Sequence, residues 1–327
     1  MRSGSEEAAE ATEIMQTNSP QHVPEVTPAL TVETVRALVR AQFLLAANCV
    51  EYLAEGGEHW VFLVDGEWVF RFPKDRNGVF PLLHEVGFLA EVAPSLAVRL
   101  PEYHLLGVPG GGYPYRFAAY RWLPGVPAWE AELSWAACGT MAAHLGLTLG
   151  ALHAYDPARA EEFELWCDME LRAPAHTRLR ALEDLAAIPA ALGEGIYQQC
   201  LNFLEDESRV PDAYAGEPCV VHGDLQPGHV LVAPDTGAVT GVIDWGCLQL
   251  ADPAMDFALL WVWGGEGFVK AMLEAYALSP DPGLWDRLRY RGTCAAMEWV
   301  RFGCSGSASS AHLYREAGLT ALRRILA

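Results

Sequence analysis

The stretch Val220-Val-His-Gly-Asp-Leu-Gln-Pro-Gly-His-Val-Leu-Val232, followed by Gly241-Val-Ile-Asp-Trp245 and Ala251-Asp-Pro-Ala-Met-Asp-Phe257, decides how this chain is read. Asp224 stands in a glycine-flanked turn between two short apolar segments, Cys219 to Val221 and Val230 to Val232, which read as strands. A third strand, Val239 to Ile243, follows the turn residues Asp235-Thr-Gly237 and ends on a second carboxylate, Asp244. Hairpin strands bring such positions together. Phosphoryl transfer needs one carboxylate to orient and deprotonate an attacking hydroxyl and another to hold Mg²⁺ on nucleotide phosphates. Asp224 and Asp244 supply that pair.

Upstream of this stretch the chain is richer in strands. A helix is expected from Thr31, with the apolar stripe Val35, Leu38 and Val39. Strands follow at Cys49 to Leu53, His59 to Val64 and Glu67 to Phe72. Asp65-Gly66 joins the last two, and both residues tolerate the positive φ of a type I′ turn. Leu82, Val86 and Leu89 form a helical stripe, and Tyr115 to Leu123 reads as a strand running into Pro124-Gly125. Beyond that break the pattern is helical: Ser134 to Tyr155, Pro174 to Leu185 and Gly195 to Ser208. Strands followed by helices predict an α+β chain. The division is a flexible tail at 1–28, a strand-rich lobe at 29–123 and a helical lobe at 124–327.

Composition excludes several classes. The 327 residues are 51% hydrophobic and 20% charged, which suits a globular chain with a sizeable core. Lys and Arg total 22 against 42 Asp and Glu, a net charge of −20 that repels nucleic-acid backbones and anionic lipid. The tail carries five Glu, three Pro and no signal-peptide pattern, and Ala254 to Trp263 is the longest apolar stretch noted, broken by Asp256. A cytoplasmic monomer with no membrane segment is expected. Eight scattered cysteines, without C-x-x-C spacing, read as reduced core thiols.

Common catalytic motifs fail on inspection. There is no Gly-Lys-Ser/Thr for a P-loop, and the triple glycine 110–112 never completes G-x-G-x-x-G. His84-Glu85 begins an H-E-x-x-H, but Phe88 occupies the second histidine position. Gly303-Cys-Ser305-Gly306-Ser307 misses the G-x-S-x-G elbow by its last residue.

What remains resembles the kinase catalytic loop H-R-D-x-x-x-x-N followed by D-F-G, in the variant H-G-D and I-D-W of the aminoglycoside-phosphotransferase superfamily. The resemblance covers most of the chain and implies a two-lobed, kinase-like α+β fold. Asp224 is then the catalytic base and Asp244 the Mg²⁺ ligand. Glu55-Gly56-Gly57-Glu58 looks like the nucleotide-covering loop, with Val69 beneath the purine and Tyr120, Arg121 and Trp122 as the hinge beside it. Glu85 looks like the helix-borne partner of a phosphate-clamping cation. Period-two alternation with Val69 favours Arg71 for that cation, and Lys74 is the alternative. His222 reads as a brace of the catalytic loop, and the family places an Asp at Asp256 to accept that loop's amides.

His229 stands where the superfamily usually carries Asn, and G-D-L-x-P-G-H resembles the macrolide 2′-phosphotransferases within it. That resemblance implies transfer of the γ-phosphate of GTP, or ATP, to the sugar hydroxyl beside a dimethylamino group. His229 reads either as a second metal ligand or as a shaper of the phosphate site, since imidazole suits Mg²⁺ less well than oxygen. The acceptor region is assigned to Trp261, Trp263, Phe268, Tyr290, Glu298, Trp299 and Phe302 beyond Asp256. An aminoglycoside or other small alcohol is the alternative acceptor, and a nucleotide-binding interaction protein the non-enzymatic alternative.

Overall fold

Thr31 caps the first helix, α1 (Val32–Gln42): its hydroxyl accepts the Thr34 amide at 3.2 Å, and Val35, Leu38 and Val39 face inward as their spacing requires. The computed structural model describes residues 30–167, 173–306 and 310–326, so the tail assigned to 1–28 lies outside the described residues. β1 (Val50–Glu55), β2 (His59–Val64) and β3 (Trp68–Pro73) run antiparallel. Asp65 and Gly66 take φ of 53° and 69°, as the Asp-Gly turn predicts.

The sheet is completed by β4 (Tyr103–Gly107) and β5 (Phe117–Arg121) in the order β1-β2-β3-β5-β4. β5 is shorter than the expected 115–123. Tyr115 leaves the ladder to pack on Tyr113, and the Trp122 amide turns to the Glu67 carbonyl at 2.8 Å. Phe62, Phe70, Phe72 and Phe117 fill the core under α1, with Phe72 stacked on Phe117 at 4.5 Å. A second helix, α2 (Val79–Val92), buries Leu82, Glu85 and Leu89.

The chain divides into two compact units, Met1–Pro94 with Pro101–Trp122, and Ser95–Leu100 with Leu123–Ala327. The excursion of Ser95–Leu100 into the second unit is anchored by the Arg99 carbonyl, which accepts the Val242 amide at 3.0 Å.

In the second unit come β6 (Val126–Pro127), α3 (Trp135–His153), α4 (Pro157–Ala160), β7 (Trp166–Cys167), α5 (Pro174–Ala187) and α6 (Pro189–Glu205). Then follow β8 (Cys219–Val221), β9 (Val230–Val232), β10 (Val239–Val242), β11 (Gln249–Ala251), α7 (Ala254–Ala275), α8 (Leu284–Ser305) and α9 (Ala311–Leu326). Two small sheets, β10-β9-β6 and β7-β11-β8, hold the central turn between them. β6, β7 and β11 are two or three residues long, too short for period to reveal. α6 begins at Pro189 rather than 195, because Gly193 breaks the helix at φ 72° and hides its first turn. The result is an antiparallel N-terminal sheet and a larger helical C-terminal region, the kinase-like architecture the resemblance implies.

Among the described residues one helix, α3, is long and apolar enough to cross a membrane; half of that window is buried, and α3 packs against α7. One expectation is corrected. All eight cysteines are free, but only Cys200, Cys219 and Cys294 are buried, while Cys49, Cys167, Cys247 and Cys304 are exposed. Apolar neighbours in sequence do not say which way a thiol points.

Candidate active site

The turn after β8 is held from behind. Asp256, in the first turn of α7 and fully buried, accepts the His222 and Gly223 amides at 2.9 Å each. His153, at the end of α3, lies 3.1 Å from the same carboxylate through Nε2, and its Nδ1 meets the Tyr276 hydroxyl at 2.8 Å. A carboxylate only accepts, so Nε2 carries the proton. Burial pushes the Asp256 carboxyl up, but the His153 bond and charge, with the Gly223 amide, hold it below the ordinary value. Gly223 sits at φ 83°, and a Cβ there would collide with the Cys247 carbonyl, so the position admits only glycine.

His222 acts as the brace the sequence suggests. Its Nδ1 accepts the Asp224 amide at 3.3 Å, so its Nε2–H donates to the Ile243 carbonyl at 3.1 Å. Burial pushes its pKa down, which keeps the ring neutral.

His229 spans the two carboxylates. Its Nδ1 donates to the Asp224 carbonyl at 2.8 Å, while its Nε2 lies 3.4 Å from Asp244 Oδ2. Asp244 lies two residues past β10 in the left-handed region at φ 63°, which aims its half-exposed carboxylate at the turn. The Gln226 amide lies 3.3 and 3.5 Å from the Asp224 oxygens, a contact that reading the motif did not assign. Burial, with Asp244 beside it, raises the Asp224 carboxyl above its ordinary value, opposed by His229 and His222.

These donors suit a hard cation. Asp244 offers carboxylate oxygen, and the His229 Nε2 lies 3.4 Å from that oxygen and 3.4 Å from the Gln226 amide. Among the described residues no group of three or more His, Cys, Asp and Glu is arranged to hold a metal, and Mg²⁺ carried on phosphates needs only one or two carboxylates.

In the first unit Arg71 donates to both Glu85 oxygens at 2.6 Å, with both residues buried. Tyr103 closes the cluster by donating to Glu85 at 2.8 Å, a partner on a strand the sequence reading did not mark. Lys74 instead pairs with Glu55 at 2.6 Å, nearer solvent. Val69 is buried two positions before Arg71, and Gly56 and Gly57 are exposed between β1 and β2. Tyr120 is buried edge-on to Tyr103, and Arg121 lies over Trp68 at 3.9 Å and pairs with Glu67. The half-exposed Trp122 has given its amide to Glu67, so that amide is not available to a purine.

A pocket of about 390 Å³ opens at Asp224. Three helix faces wall it: Thr177, Arg180, Ala181 and Asp184 of α5; Met255, Ala258 and Leu259 of α7; Arg291, Cys294, Ala295 and Glu298 of α8. Each set follows the i, i+3, i+4 spacing of one helical face. Burial, with Asp184 and Asp224 nearby, pushes Glu298 up, while Asp184 is tied to Arg301 at 2.5 Å. Of the residues assigned to the acceptor, Glu298 lines this pocket and the aromatics do not. Trp261, Tyr290 and Trp299 are buried: Tyr290 stacks on Phe203 at 5.4 Å, and Trp261 lies under Arg324. Trp263 is partly buried and packs edge-on to Phe268 at 5.4 Å. Trp261, Phe268, Tyr290 and Trp299 serve the core, while Phe302 is 39% exposed.

Residues 50–291 match the phosphotransferase enzyme family APH. The chain belongs to this family. The phosphotransferase is similar to the uncharacterized protein YcbJ of Bacillus subtilis, 26% identical over 221 residues, 64% of this chain and 67% of that one. Among solved structures it is similar in fold to the GDP complex of wild-type aminoglycoside 2'-phosphotransferase-IIIa, with 21% identity and a TM-score of 0.68 over 91% of this chain and 99% of the other. Macrolide 2'-phosphotransferase MphH from Brachybacterium faecium is similar too, with 23% identity and a TM-score of 0.58 over 89% and 97%. The family match ends at Arg291, ahead of Glu298 and α9.

Proposed function

We propose that this phosphotransferase inactivates antibiotics by moving the γ-phosphate of GTP, or ATP, to the 2′-hydroxyl of the amino sugar of macrolides. The observation that carries this is the array Asp224–His229–Asp244 at the mouth of a pocket that also presents Glu298 and Asp184. Asp224 orients the acceptor hydroxyl and takes its proton as the new O–P bond forms and the bond to the nucleoside diphosphate breaks. Its raised carboxyl makes it a better proton acceptor than an ordinary aspartate, and an ammonium beside the hydroxyl eases the demand further. Asp244, with His229 beside it, would hold Mg²⁺ carried on the triphosphate, which would supply charge neutralisation at the phosphate oxygens. Arg71, locked by Glu85, is the phosphate-holding cation.

The pocket's mixture supports a large, partly apolar, singly cationic acceptor. Met255, Leu259 and Ala295 form an apolar floor, and Arg180 and Arg291 oppose a dense polycation. Three carboxylates, Asp184, Asp224 and Glu298, favour a second reading in which the acceptor is an aminoglycoside. Incubation with Mg²⁺, GTP or ATP and a mixed panel of macrolides and aminoglycosides, read by mass spectrometry, separates them. Phosphate on macrolides is expected; phosphate on aminoglycosides alone replaces the first reading by the second, and no product on either refutes both.

A further inference from the structure

α8 and α9 cross tightly. A Cβ at Gly303 would lie 2.5 Å from the Ala311 carbonyl, and one at Gly318 would lie 2.6 Å from the Ala296 carbonyl, so only glycines permit the approach. That closeness stands Tyr314 of α9 against Trp299 and Phe302 of α8, at 5.7 and 4.7 Å between rings. On its other side Trp129 meets Tyr314 edge-on at 4.7 Å.

Trp129 is fixed to the catalytic turn. The neighbouring Ala128 amide is shared by the Pro227 and Val230 carbonyls at 2.9 Å each, and the Trp129 ring lies so close to Gly228 that a Cβ there would be 2.5 Å from it. Trp299 is the buried back of the cluster, Trp129 and Tyr314 are partly buried, and Phe302 is 39% exposed. The Tyr314 hydroxyl faces the Gln226 amide that also contacts Asp224, and burial with the charges of Asp224, Asp244 and Glu298 keeps it protonated.

Aromatic faces beside carboxylates are the chemistry that recognises an alkylated ammonium: the rings supply quadrupole attraction and exclude water, and the carboxylates supply charge. We propose that Tyr314, with Trp129 and Phe302, forms a specificity-determining wall that takes the ammonium-bearing apolar face of the acceptor beside Asp224. This rests on the function proposed above. The ring of Tyr314, not its hydroxyl, makes the contact.

The test is transfer kinetics on a macrolide and an aminoglycoside for the wild-type enzyme, Tyr314→Phe, Tyr314→Ala and Phe302→Ala. Expected is an acceptor KM within about twofold of wild type for Tyr314→Phe and a rise of roughly tenfold for the two Ala variants, with kcat and the nucleotide KM little changed. Equal losses in Tyr314→Phe and Tyr314→Ala overturn the wall, because the hydroxyl then acts through Gln226; so does a fall in kcat at constant KM. Where the wild type transfers phosphate to neither antibiotic, the functional reading has failed, and the wall is tested by 2-(dimethylamino)ethanol binding, read by tryptophan fluorescence. A saturable change abolished in Tyr314→Ala upholds it, and no saturable change in the wild type overturns it.

Discussion

The His153 imidazole and the Asp256 carboxylate lie 3.1 Å apart with neither side chain open to solvent, and the same carboxylate holds two amides of the catalytic turn. Asp256→Ala strands a buried imidazole and two buried N–H groups, which costs about 3–5 kcal/mol of stability. Asp256→Asn keeps an oxygen for one amide and loses less. Urea unfolding of both variants checks this; equal stability of Asp256→Ala and wild type would remove the bracing role.

Acid should weaken this fold in two stages. His222 has a folded pKa lowered by burial, so the unfolded chain binds the proton first and stability falls as pH drops below roughly 6.5. Asp256 also has a lowered folded pKa, so its contribution is present above the ordinary carboxylate value, about 3.9, and is lost as pH falls further. Thermal melts from pH 8 to pH 3 are expected to show both declines. His222→Gln can keep both bonds of the ring without titrating, and the upper decline should vanish in it; an unchanged upper decline assigns it elsewhere.

Asp224→Ala is expected to lower transfer by roughly 10²–10⁴-fold while nucleotide affinity stays within a few-fold. Single-turnover transfer and nucleotide titration, run on the same preparation, measure the two separately. Near-wild-type transfer would take the base assignment from Asp224.

The parts legible in sequence are those where local geometry dictates the residue. Asp65-Gly66 marks its hairpin because few residues take two consecutive positive φ values, and β2, β8 and β9 fall at the expected residues. The turn that carries Asp224 is legible because Gly223 can be nothing else and because Asp224 and Asp244 each follow a short apolar strand, β8 and β10. The pocket at Asp224 is not legible in the same way. Thr177, Arg180, Ala181 and Asp184 share one helix face, but which face of α5 meets Asp224 is a tertiary fact. Trp261, Tyr290 and Trp299 share the spacing of a binding surface and of a core alike, and here the core holds them.

The choice between Arg71 and Lys74 can be settled by substitution. Arg71 is buried against Glu85 and Tyr103, so Arg71→Ala removes the cation that donates to both Glu85 oxygens and costs about 3–5 kcal/mol. That loss would mask any effect on nucleotide, which makes Arg71→Lys the informative change. It keeps the charge, but an ammonium cannot reproduce the planar donor set that meets Glu85, Tyr103 and His59 together. Folding is expected to survive with a lowered Tm, and the nucleotide KM to rise several-fold. Lys74→Ala breaks only the more exposed pair with Glu55 and is expected to leave Tm nearly unchanged and the nucleotide KM less affected. Nucleotide KM for the two variants, measured where both are fully folded, decides the matter: a larger rise in Lys74→Ala than in Arg71→Lys transfers the phosphate-holding role to Lys74 and leaves Arg71 as the buried tie between β3 and α2.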